Sequence, residues 1–122
     1  MTNPFRDQEK FMRACDQSVD GSNPDQYKMY LKLIDEEVEE LKLAVSRGDT
    51  VEQLDALLDI IVVTIGAIHS AGHDGEGGWK EVMGTNFAKI DKETGKVRKR
   101  EDGKVLKPVG WVPPDLNPFI KQ

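Results

Sequence analysis

Cysteine and long apolar stretches are both scarce in this chain, and each scarcity excludes a class of protein. The only cysteine among the 122 residues is Cys15, so no internal disulfide can form, which is typical of a reducing cytoplasm. No run of about 20 apolar residues is present, which is the length that a membrane-spanning helix needs. The N-terminus also lacks the basic segment and apolar run of a secretory signal. We therefore expect a cytoplasmic protein without a membrane partner.

The composition predicts one polar domain with a small core. Hydrophobic residues make up 38 % of the chain and charged residues 32 %, and a chain of this length is enough for one domain but not for two. We expect a single domain over residues 1–122, with a helical body over residues 5–90 and a tail over residues 91–122. A small core and a polar composition are also compatible with a homo-oligomer.

Charge is distributed unevenly along the chain. The net charge is −5, yet the segment from Lys89 to Lys107 has eight basic and four acidic residues. Two short extended pieces joined at residues 101–103 predict a β-hairpin within this basic segment. The segment is either a solvated surface hairpin or a binding element for an anion. It has no aromatic residue between Lys92 and Lys107, which argues against a nucleic-acid partner.

The rest of the chain favours an all-α fold. Asn23 is a predicted N-cap, and Thr50 with Gln53 forms a predicted capping box. Gly48 and Gly72 are placed to end helices in the left-handed conformation. Four helices are predicted, at about residues 5–19, 24–47, 50–71 and 79–89.

The second predicted helix carries carboxylates beside apolar residues. An α-helix turns by about 100° per residue, so Glu36, Glu37 and Glu40 fall on one arc of the helix together with Leu33 and Ala44. A separate polar face already exists on this helix. Solvation therefore does not require carboxylates on the arc.

The third predicted helix repeats this anomaly. Glu52, Asp55 and Asp59 share one face, and the last two are the only charged residues between Leu54 and Ile68. A helix that is apolar on nearly every side is expected to be buried, where an unpaired carboxylate is costly. Capping, pairing with distant lysines and a surface location are alternatives. A divalent ion removes both the repulsion and the burial cost, and all-oxygen ligands favour magnesium or manganese with a phosphorylated substrate.

The two acidic segments together resemble the signature of the MazG-like all-α NTP pyrophosphohydrolase superfamily. That signature is Glu-Glu-x-x-Glu, here at residues 36–40, followed by Glu-x-x-Asp, here at residues 52–55. The resemblance covers residues 30–116, and phage-type and small bacterial members are the most similar. It includes Asp-Ala-Leu-x-Asp at 55–59, Glu-Val-x-x-x-Asn-x-x-Lys at 81–89, and tail segments at 101–107 and 113–115. Relatives commonly carry His and Arg where this chain has Met83 and Gly84.

The resemblance implies a four-helix bundle that assembles as a homodimer or homotetramer. It implies conversion of a (d)NTP, with dGTP or GTP as first choice, to the nucleoside monophosphate and pyrophosphate. Water activated by two or more Mg²⁺ or Mn²⁺ ions would attack the α-phosphorus. The basic segment would then close over the substrate as a lid.

The resemblance also implies roles for individual residues. The implied metal ligands are Glu37, Glu40, Glu52, Asp55 and Asp59. Glu36 or Glu37 would accept the proton of the attacking water. The implied substrate-binding residues are Asn86 and Lys89, with Lys104 and Lys107 added from the basic segment.

Three alternative functions are compatible with the same residues. Within the superfamily, the alternatives are a dUTPase-like or dCTPase-like enzyme and a phosphoribosyl-ATP pyrophosphohydrolase. A non-catalytic nucleotide-binding module is the alternative from another class, although the complete acidic signature favours an enzyme.

Overall fold

The fold was obtained as a computed structural model that describes residues 3–122, and it is all-α as predicted. The helices are α1 (Pro4–Ala14), α2 (Pro24–Ser46), α3 (Thr50–Ser70) and α4 (Gly75–Phe87), followed by a short 3-10 helix at Asn117–Phe119. No β-strand occurs in residues 3–122. The predicted hairpin segment has two isolated antiparallel bridges, Ile90 with Val97 and Lys99 with Val105.

The helix ends show which capping signals the chain uses. Asn23 caps α2 as predicted, because its Oδ1 accepts a hydrogen bond from Gln26 N at 3.2 Å. The capping box predicted at Thr50 is wrong. Asp49 is the N-cap of α3, and its Oδ1 accepts from Glu52 N at 3.1 Å. An aspartate at this position satisfies a free N–H and also places negative charge at the positive end of the helix.

The start of α4 differs from the prediction because its glycines are helical. The sequence predicted a flexible loop up to Gly78, whereas the helix begins at Gly75. A Cβ atom on Gly75 would lie 2.8 Å from Phe5 Cε1 and 2.9 Å from Ile68 Cγ2. The missing side chain therefore permits close packing, which a composition-based loop prediction does not consider.

The chain divides into two compact units. The first comprises the described residues up to Gly75 together with Ile120–Gln122, and the second comprises Glu76–Phe119. The single-domain interpretation stays a prediction. In the first unit α2 and α3 pack against each other, α1 packs against α3, and the core contains Met12, Tyr30, Val63 and Ala67.

Contacts along α2 and α3 set an antiparallel register. At one end, Gln26 Nε2 donates to Ser70 Oγ at 2.8 Å. One turn further, the ring of Tyr30 lies against Gly66, where an added Cβ would overlap the ring. At the other end, Gln53 Nε2 donates to the carbonyl oxygen of Ala44 at 3.5 Å. Uncharged contacts thus hold both ends of the helix pair.

No single helix in residues 3–122 is long and apolar enough to cross a membrane. Only α3 and α4 taken together as a bent pair reach that length and composition.

Gly66→Ala should destabilise the fold because the added methyl group would overlap the Tyr30 ring. We expect a loss of about 1–3 kcal/mol in the free energy of unfolding, which is usual for overpacking, measured by urea denaturation. Gly84→Ala is the matched control, since a Cβ atom added to Gly84 would have no other atom within 4 Å. It should gain about 0.5–1 kcal/mol from helix propensity. Equal effects of the two substitutions would contradict the packing of Tyr30 on Gly66.

Candidate functional site

Four carboxylates meet where α2 and α3 pack together. Glu37 and Glu40 stand one turn apart on α2, and Asp55 and Asp59 stand one turn apart on α3. The contacts of Gln26 with Ser70 and of Gln53 with Ala44 fix the register of the two helices. In this register Glu37 and Asp59 lie at the same level along the helix pair. We call these four residues the acidic cluster.

Glu37 has the most perturbed environment in the acidic cluster. Its side chain is half-buried, and its Oε2 is buried without a hydrogen-bond partner. Burial first, and then the carboxylates of Glu40, Asp59 and Asp55, raise the pKa of Glu37 to about 7. The pKa of Asp59 is also raised, first by burial and then by the negative charges of Asp55 and Glu40. The site therefore disfavours negative charge that has no compensation.

The other two predicted acids lie differently. Glu36 and Glu52 are exposed, as are Glu40 and Asp55. Unlike Glu40 and Asp55, however, they are not among the groups that raise the pKa of Glu37. Glu52 lies in the first turn of α3 and its backbone N–H donates to the cap residue Asp49. Their predicted roles as general base and metal ligand stay predictions.

The donor set of the acidic cluster fits a hard divalent ion in its chemistry. A buried carboxylate oxygen beside three further carboxylates is relieved either by a proton, in keeping with the raised pKa of Glu37, or by a cation. Oxygen ligands suit Mg²⁺ or Mn²⁺. Within residues 3–122, however, no three His, Cys, Asp or Glu side chains converge tightly enough to form a ready ion-binding group. Mg²⁺ commonly retains water and takes further ligands from substrate phosphates, so it does not require a complete set of protein ligands.

The sequence predicted that α3 is buried, and within a single chain this prediction is wrong for the first half of the helix. Its second half faces the core of the unit, but Leu54, Leu57, Leu58 and Ile61 are exposed by 48–59 %. Hydrophobic periodicity indicates that a face needs covering, but it does not say whether the same chain covers it. An exposed apolar stripe of this size next to a candidate site is typical of an interface.

The predicted substrate-binding residues belong to the unit Glu76–Phe119. Asn86 Oδ1 accepts a hydrogen bond from Lys89 Nζ at 3.1 Å, and Asn86 lies at the end of α4. Lys107 lies further along, with its Nζ over the ring of Trp111 at 4.9 Å from the centroid. Lys104 is exposed.

Trp111 belongs to the same unit, and the sequence named it as one of several aromatic residues on which a base could stack but did not reveal its contacts with lysines. Its indole N–H donates to the carbonyl oxygen of Thr85 at 2.7 Å, and Lys89 Nζ also lies 4.9 Å from its ring centroid. The ring borders a cavity of about 500 Å³, which Gly84, Thr85 and Val109 also line. A tryptophan far along the chain from Lys89 gives no local signal of this pairing.

Comparison with known proteins bears on the acidic cluster directly. The profile of a family described as phosphoribosyl-ATP pyrophosphohydrolase matches residues 8–86. No curated protein matches the sequence at a significant level. The matched segment includes every predicted metal ligand but ends before Lys89, Lys104, Lys107 and Trp111.

The raised pKa of Glu37 should make the metal-free protein less stable as pH rises. The folded state retains a proton that the unfolded chain releases between 4.5 and about 7, so stability is lost through that window. In chelator, the melting temperature should therefore fall between pH 5 and pH 8. Glu37→Gln should reduce this fall, whereas Glu39→Gln, which alters an exposed pair with Lys42, should preserve it. Identical profiles for all three proteins would refute the assignment.

Proposed function

Because the chain belongs to the phosphoribosyl-ATP pyrophosphohydrolase family, and with it to the MazG-like superfamily, we propose that it hydrolyses a nucleoside triphosphate to the monophosphate and pyrophosphate in the presence of Mg²⁺. Family membership supports pyrophosphate-releasing hydrolysis of a nucleotide in general. The observation that carries the proposal is the acidic cluster, in which a half-buried Glu37 lies among three other carboxylates within the matched segment. A site that disfavours its own charge is suited to bind cations.

In this proposal Glu37, Glu40, Asp55 and Asp59 hold the divalent ions, and Glu52 adds a ligand from the first turn of α3. Two or more ions, when bound, offset the charge of the substrate phosphates and lower the pKa of water. Glu36 or Glu37 accepts the proton of the attacking water.

The substrate is proposed to be a purine nucleoside triphosphate, with dGTP or GTP first. Phosphoribosyl-ATP is the second candidate, since the matching family is described by that substrate. Asn86 is included in the match, but the three lysines proposed to bind substrate phosphates lie beyond it. The end of the match at residue 86 is compatible with an enzyme that shares the catalytic chemistry of the family but binds its substrate in a different way.

Activity assays test the proposal. Pyrophosphate release should be measured with the eight common ribo- and deoxyribonucleoside triphosphates and with phosphoribosyl-ATP, in Mg²⁺ and in chelator. Glu40→Gln and Asp55→Asn should each lower turnover by at least about 100-fold, the upper end of what even outer groups of metal sites contribute. Glu39→Gln is the control, since Glu39 lies on the exposed face and pairs with Lys42. Undiminished hydrolysis in chelator would exclude the metal-dependent reaction.

The exposed stripe on α3 supports a homo-oligomer, which we propose to be a dimer or a tetramer. Ile61→Asp should shift the protein toward the monomer, because burying a carboxylate in an apolar interface is unfavourable. Ile61 is 50 % exposed within one chain, so the substitution removes little of the chain's own core. Analytical ultracentrifugation measures the mass. Val109→Asp, at a fully exposed residue of the other unit, should leave it unchanged. An unaltered mass for Ile61→Asp would place the interface elsewhere.

A further inference from the structure

Trp111 is fixed in place by a hydrogen bond at its edge. Its indole N–H donates to the carbonyl oxygen of Thr85 at 2.7 Å, in the last turns of α4. The hydroxyl of Thr85 donates in turn to the carbonyl oxygen of Val82 at 2.8 Å. The ring is half-buried. A ring held in this way provides a stable surface on which other side chains can be positioned.

Two lysine side chains lie against the ring of Trp111. The ammonium groups of Lys89 and Lys107 each lie 4.9 Å from the ring centroid of Trp111, within the range of a cation–π interaction. Lys89 also donates to Asn86 Oδ1 at 3.1 Å. The aromatic face thus brings together two cations that are 18 residues apart in the sequence.

The positive charge of this pair is not offset by ion pairs. In the part of the chain that the structure describes, neither ammonium group is within 4.0 Å of a carboxylate. Glu81, which lines the adjoining cavity, accepts a hydrogen bond from Asp115 N at 2.8 Å. Two cations held at one ring repel each other, and an anion bound near both would reduce that repulsion.

The cavity beside Trp111 has room for such an anion. Its volume is about 500 Å³, which is within the range of small-molecule sites. Gly84 lines it, and a Cβ atom added to Gly84 would meet no atom within 4 Å. Neither lysine lines this cavity, but Trp111 borders the cavity and contacts both lysines, so the space adjoins the two cations. The ring already restricts the positions of the cations, and this restriction lowers the entropy cost of binding.

We propose that Trp111 holds Lys89 and Lys107 in place as a binding site for the phosphate groups of an oligophosphate. The proposal rests on the proposed function in one respect, namely that these phosphates belong to the nucleotide substrate. Lys89 and Lys107 contact the ligand, and Trp111 is a positioning residue. This role for Trp111 differs from stacking on the nucleobase, because both lysines lie over the ring that a base would need.

Binding of inorganic tripolyphosphate to the full chain tests the site. Chelator is present throughout, so that no metal ion bridges the ligand to the acidic cluster. Titration calorimetry should show that Lys89→Gln and Lys107→Gln each weaken binding by about 10-fold, as expected for a charge-assisted hydrogen bond. Lys92→Gln is the matched control, because Lys92 is exposed in the same basic segment. It should change the affinity by no more than about twofold, as is usual for a surface charge.

Two further measurements isolate the role of Trp111. In a Trp79→Phe background, in which Trp111 is the remaining tryptophan, tripolyphosphate should change the fluorescence saturably with the dissociation constant found by calorimetry. Trp111→Leu should weaken binding, and Trp111→Phe, which retains an aromatic face, should restore part of it. Circular dichroism checks that each variant is folded. If the Trp79→Phe protein does not fold, calorimetry on the remaining variants decides alone.

The results separate this inference from the proposed function. Unchanged affinity in both lysine variants, or in Trp111→Leu, would overturn the phosphate site even if the enzyme hydrolyses nucleotides. Tripolyphosphate binding that depends on both lysines and on Trp111, in a protein without pyrophosphohydrolase activity, would support the site and reject the substrate assignment.

Discussion

Repulsion among carboxylates at the contact of α2 and α3 is the constraint on which the rest of the structure depends. Glu37 loses water on burial and lies among three groups of the same charge, so this part of the helix pair opposes its own packing. The helices nevertheless stay together because uncharged contacts hold both ends, through Gln26 with Ser70 and Gln53 with Ala44. The contacts at the two ends of the helix pair stabilise it, and the carboxylates between them destabilise it. Clustered, destabilising charges of this kind are typical of functional sites.

The neutral contacts also determine which acids meet. They are spaced so that residues of α2 and α3 at equal distances from Gln26 and Ser70 face each other, which sets Glu37 opposite Asp59. A slip of one turn in either direction would separate that pair and would set Tyr30 opposite Val62 or Ser70 instead of Gly66, whose missing side chain makes room for the ring. The position of one glycine therefore helps to define the acidic cluster.

Local rules predicted the helices from the sequence, whereas tertiary contacts decided how their side chains were combined. Periodicity placed carboxylates of α2 beside apolar residues, and the N-cap at Asn23 followed from local hydrogen bonding. A helical wheel describes each helix alone, so it could not show that Asp55 and Asp59 of α3 lie near enough to Glu37 of α2 to raise its pKa. For the same reason it could not show whether this chain covers the apolar face of α3. Trp111 gave no local signal, since its pairing with two lysines arises only when the chain returns to the end of α4.

Charge distribution explains why the proposed nucleotide enzyme needs more than one binding device. The acidic cluster alone repels a polyphosphate, and the chain as a whole carries a net charge of −5. In the proposed function, cations bound by the cluster would reverse the sign of the local field at the reacting phosphate, and lysines held on an aromatic ring would attract the phosphates without requiring an ion. The two devices differ in their response to conditions. Ion binding by the acidic cluster would compete with protonation of Glu37, whereas the proposed phosphate contact of the lysine pair involves no carboxylate. Substrate capture and catalysis are therefore expected to depend on pH separately.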